Sequence, residues 1–223
     1  MATDRPRFES IDEMATATAG ALSASASQTA FAVFSDKAFR RWAGFADLAQ
    51  GEQDRIFNEL VVAWLVLIRL TLEAPDLRVD HDLKEYLALL QTKIAPAHIA
   101  SLAKLGVTPA QCHDWETLLS LRYEEYARDR HQVRAAAMEL ESAEKELELE
   151  DLTRLQVFVP VQAVAIGCHQ HLCRGETAGR DELFKMILRS LARFYVDTRL
   201  RFEGVTPGPL VRIRDALRRL LRG

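Results

Sequence analysis

Cysteine is scarce in this sequence. There are three in 223 residues, an odd number, so no disulfide framework holds the fold and a packed core has to do so. Glycine and proline are sparse as well, at 10 and 7, which excludes collagenous and Pro/Gly-rich disordered chains. The glycines present form neither G-x-x-x-x-G-K-[ST] nor G-x-G-x-x-G, so phosphate cradling by a glycine loop has no support, and no G-x-S-x-G elbow offers a serine nucleophile. Long apolar runs are missing too. The most hydrophobic stretch, 60–68, would span only about 14 Å as a helix, less than half of a roughly 30 Å hydrocarbon layer, before Arg69 interrupts it. The charged start and the Ala/Ser/Thr stretch after it lack the leucine-rich segment of a signal peptide. Few thiols and no such segment point to a reducing cytoplasm. Lysine is rare, with 6 against 23 arginines, and the 29 basic residues do not outnumber the 32 acids. A net charge of −3 excludes a protein whose whole surface is a nucleic-acid glove.

What is present is helical periodicity. Apolar residues make up 48% and charged residues 27% of the chain, as in a globular domain, and its length suits one core with tails. Ser10 and Glu13 have the spacing of a capping box. The stretch 14–30 is small and nearly uncharged, so it reads as a weak helix or loose connector. Phe31, Phe34, Phe39, Trp42 and Phe45 then mark the first core contacts, with Ser35 as a cap beneath them. The segment 52–73 reads as a helix apolar all round, hence central in a bundle, although its β-branched residues also fit a buried strand. Pro75 stops it, and Asp80 or Asp82 caps the next helix, which carries Leu83, Tyr86, Leu87, Leu89 and Leu90. Pro96 is expected to break that helix, with a shorter one following and leaving at Gly106.

Thr108, Pro109 and Gln111 supply a cap, a first-turn proline and a capping-box partner, so a helix starts at 109. Its residues Leu119, Tyr126, Val133, Leu140 and Leu147 fall seven apart, but Arg122 and Asp129 occupy the other seam position before Ala136 and Ala143. Close packing is therefore expected in the second half. Unbroken from 109 to 149 it would be about 60 Å long, so it either breaks near 134–142 or protrudes. The segment 152–172, with Pro160 inside, reads as a kinked helix rather than a strand, and Gly175 and Gly179 bracket a loop before a further helix reaching Phe202.

The expected fold class is all-α: a multi-helix bundle around the buried 52–73 helix, with Trp42, Trp64, Leu67, Leu119 and Leu188 inside. The divisions are a weakly structured segment 1–30, a bundle domain 31–204 and a basic amphipathic helix 205–223. In that last helix Leu210, Ile213, Leu217, Leu220 and Leu221 share one face, and Arg212, Arg214, Arg218, Arg219 and Arg222 share another. Such a helix docks by its leucines on a protein, or lies on an anionic membrane or nucleic acid. From Arg174 onward 12 basic residues face 6 acids, whereas 139–151 holds seven acids and one lysine. The charge is segregated.

Cys168, His169, His171 and Cys173 have side chains that ligate zinc or iron, but a straight helix cannot aim all four at one ion. A metal site would combine Cys168 and His171 with Cys112 and His113. Glu59, Glu85, Glu116, Glu124, His113 and His131 suggest a carboxylate bundle, yet the chain has no Glu-x-x-His pair. No metal or other cofactor is expected. The expected function is a non-catalytic binding or scaffold protein whose partner is a protein or a second copy of the chain, with a metal-dependent bundle or enzyme and a membrane or nucleic-acid binder as alternatives.

Overall fold

The computed structural model describes residues 8–79, 81–144 and 148–204. Seven α-helices and no strand occur among them: α1 (Ile11–Ser35), α2 (Lys37–Trp42), α3 (Gln50–Leu72), α4 (His81–Lys104), α5 (Pro109–Glu144), α6 (Leu149–Leu172) and α7 (Asp181–Glu203). The segments 60–68 and 152–172 are helical, as expected, and the strand alternative falls away. None of the described helices is long and apolar enough to cross a membrane.

The centre is α3. Residues 60–68 are almost wholly withdrawn from solvent, and α1, α4, α5, α6 and α7 all pack on this helix. Trp64, Leu67 and Leu119 are buried as expected, while Trp42 and Leu188 are only partly covered at the margin. The stretch 14–30 lies inside α1, which crosses the expected division at residue 30 and joins the common core. Ala15, Ala19, Leu22, Ala26, Ala30 and Val33 recur along one side of α1 as a buried seam against α4 and α3. Small side chains there bury little area each, but they let two helix backbones come close.

Local signals set several termini. Glu13 N–H donates to Ser10 Oγ, 3.1 Å, and Thr108 and Gln111 exchange N–H to side-chain bonds of 3.1 and 3.3 Å. Gly106 takes the left-handed conformation expected after a helix end. The cap of α2 is Asp36, which accepts from Ala38 and Phe39 N–H, and not Ser35, which ends α1. A carboxylate one residue later does the work expected of the hydroxyl. Asp80 lies outside the described residues.

Proline did not break α4. The helix passes through Pro96, with Ile94 and His98 buried on either side of it. Tertiary packing there outweighs a cost of about 3 kcal/mol for an interior proline. The second proline, Pro160, is likewise inside α6. The helices α5 and α6 are antiparallel neighbours, and Gly167 is what permits their contact: a Cβ there would stand 2.2 Å from Tyr126 Cε1.

The long helix does not break at 134–142; it protrudes. At 36 residues α5 is about 54 Å long, against about 35 Å for α3. Its burial also reverses the expectation. Leu119 and Tyr126 in the first half are enclosed, whereas Leu140 is 72% exposed. The seam position held by Arg122 is accommodated because a buried acid meets it.

Candidate functional site

That acid is Glu59, on the inner helix α3 and 5% exposed. Arg122 of α5 forks onto it, Nη2 to Oε1 at 2.6 Å and Nε to Oε2 at 3.0 Å, and Nη1 reaches Glu125 Oε2 at 3.2 Å. His171 Nε2 on α6 lies 2.9 Å from both oxygens of Glu125. One turn earlier on α3, Arg55 donates to the carbonyls of His171 and Leu172, satisfying the open end of α6. The same guanidinium holds Glu52, which also receives Arg174 at 2.6 Å. Arg174 and Arg55 together hold the Glu52 carboxyl down at about 2. The facing glutamate raises Arg122 still further above the ordinary guanidinium range. Arg55, Glu59, Arg122, His171 and Arg174 line an open cleft of about 420 Å³. Each charge in it has a partner in the protein.

The other end of α3 is built differently. The connection 73–79 separates an apolar groove of about 610 Å³, floored by Leu72, Leu77, Val79 and Leu87, from a polar cleft of about 300 Å³ between α5 and α6. Glu73 is held by the Tyr123 hydroxyl and by Gln91, and the guanidinium of Arg69 sits 3.6 Å above the Tyr123 ring. Asp76 accepts Arg199 at 2.7 Å, and Arg199 also binds Tyr195 and Glu203, which fastens the end of α7 to this connection. The polar cleft exposes Arg130, His131 and Arg134. Beyond it the α5–α6 pair continues past α3.

The proposed metal ligands are scattered. Cys168 is fully enclosed in the core and His171 is committed to Glu125, while Cys112, whose Sγ points at the Val107 carbonyl, starts α5 about 20 Å along the helix from Glu125. His113 is 78% exposed beside Glu116. The carboxylate candidates diverge as well: Glu59 is buried, Glu85, Glu116 and Glu124 face outward, and His131 borders the polar cleft. Among the described residues no three His, Cys, Asp or Glu side chains are grouped to hold a metal ion. Burial pushes the Cys168 thiol and the Tyr126 hydroxyl far up, so neither is a ready nucleophile at neutral pH. Leu210, Ile213, Leu217, Leu220, Leu221 and Arg212, Arg214, Arg218, Arg219, Arg222 lie outside the described residues.

Sequence reasoning passed over Glu125, Arg55 and Arg134. The available signal was Arg122 at a seam position, since a charge at an apolar register needs a buried counter-charge. Comparison with protein-family models, with curated proteins and with solved structures finds no match to this chain.

Proposed function

We propose that this chain is a non-catalytic binding or scaffold protein of the helical-bundle class that associates with a second copy of itself. The observation that carries the reading is the overhang of α5. About ten residues run beyond the end of α3, roughly 15 Å, and they leave Met138 and Leu140 exposed on a helix whose earlier seam residues are buried. An unpartnered continuation of a core seam is a natural place for a like helix to pack.

Charge supports the choice of partner. Glu139 and Glu141 of the acidic run 139–151 lie on this overhang, and α7, which precedes the basic segment 205–223 in sequence, ends at the neighbouring 73–79 connection. Leucines supply the attachment in this reading and the arginines select the acidic surface, because each exposed ion pair is worth only about 0 to 1 kcal/mol. The three free thiols, Cys112, Cys168 and Cys173, support a reducing cytoplasm as its place of work.

Sedimentation of the full chain tests this. A dimer is expected, converting to monomer when Met138 and Leu140 are both replaced by Glu, and loosening at low salt when the chain is cut after Gly204. A monomer at every concentration overturns self-association. Unchanged association after the cut, together with loss of binding to anionic vesicles or DNA, would replace the docked basic segment by a membrane or nucleic-acid contact.

A further inference from the structure

We propose that the polar cleft between α5 and α6 is a binding site for a small monocarboxylic acid, with Arg134 as the group that recognises the carboxylate. Among the described residues Arg134 has no hydrogen-bond or ion-pair partner, and its Nε is shut away from solvent without an acceptor. A guanidinium presents donors in a rigid planar fork, the shape that pairs with two carboxylate oxygens. An arginine so placed lacks only its anion.

The neighbours favour this ligand. Arg130 lies one turn before Arg134 on the same side of α5, spends its Nε on the Ala127 carbonyl and stands 3.8 Å from Glu73, so its charge is only loosely met. The two acids of the cleft are taken: Glu73 by Tyr123 and Gln91, Asp76 by Arg199. They do not neutralise Arg134, but their charge counts against a second negative charge on the ligand. A singly charged carboxylate is therefore preferred to a doubly charged phosphate. His131 stands at the rim of the cleft.

The opposite wall comes from α6 and is mainly apolar. Val159 and Pro160 offer hydrocarbon, and Pro160 has no N–H to give the carbonyl of Gln156 one turn earlier, which also lines the cleft. A volume of about 300 Å³ is at the small end of ligand pockets. The fitting ligand has one carboxylate toward α5 and a compact apolar body against Val159 and Pro160. Met138 of the self-association surface lies one turn beyond Arg134 on α5, so occupancy is titrated at protein concentrations below and above that at which the chain associates.

Titration calorimetry of the full chain with benzoate, and separately with inorganic phosphate, tests the proposal. Benzoate is expected to bind at one site, to weaken about tenfold or more in Arg134→Gln, and to bind Arg134→Lys less well than the parent chain because the fork is gone. Since Arg134 makes no internal bond, the circular dichroism of Arg134→Gln should match the parent, which separates lost recognition from lost folding. No benzoate binding to the parent chain, equal binding in Arg134→Gln, or phosphate binding as tightly as benzoate would each overturn the proposal.

Discussion

Arg122 and Arg134 stand twelve residues apart on α5, and their surroundings differ in kind. Arg122 faces the inside of the bundle, where α3 brings Glu59 and α6 brings His171 to the shared Glu125, and its donors are met by acids on two helices. Arg134 lies where α3 has ended, beside the 73–79 connection, and no acid has been spent on it. The dividing line is the last turn of α3 at Leu72. Where the central helix runs alongside, a charge on α5 is enclosed and must be paired; where it has stopped, a charge on α5 borders a cleft and is left for something else. Saturation marks a structural cluster, and its lack marks a surface prepared for contact.

The largest effect that would test this contrast comes from Arg122→Met. Removing the guanidinium strands Glu59 inside the bundle, and breaking a buried pair in this way costs about 3–5 kcal/mol. A urea midpoint close to the parent value would show that Glu59 is better hydrated than its burial implies, and the contrast would weaken.

Acid comes next. Glu52 has its carboxyl held at about 2 in the folded protein against an ordinary value of 4.5, so its contribution is fully present above that ordinary value and is lost as pH falls through the folded one. Stability measured from pH 5 downward should fall less steeply in Glu52→Gln than in the parent chain. Equal slopes would mean that Arg55 and Arg174 do not hold Glu52 in solution.

The smallest effect belongs to Arg134→Met, expected within about 0.5 kcal/mol of the parent and tilted toward greater stability, because a shut-in Nε without an acceptor is removed. Thermal denaturation checks it. A loss on the scale of Arg122→Met would give the two arginines the same structural role and erase the distinction between them.

Much of this arrangement was readable in advance. The caps at Ser10 and Thr108, the left-handed exit at Gly106 and the central place of α3 follow from interactions within a few residues, or from an apolar run that only the middle of a bundle can bury. Pro96 was misleading because its penalty is local while the compensation comes from α1 and the core around Ile94 and His98. The weak look of 14–30 had a similar origin. Alanine-rich segments have little apolar area to advertise, and their value depends on a partner helix able to come close.

Composition, caps and periodicity by themselves determined that the chain is all-α, where most helices start, and that 52–73 lies at its centre, since hydrogen bonding over one turn and the 3.6-residue period are properties of neighbouring residues. Which charges meet was decided by tertiary structure alone. Glu59 and Arg122 are 63 residues apart and Glu125 and His171 are 46 apart, so nothing local relates them. Their pairing, and the absence of one for Arg134, depend on where α3 stops alongside two longer-running neighbours, a matter of three helices packed together and not of any one of them.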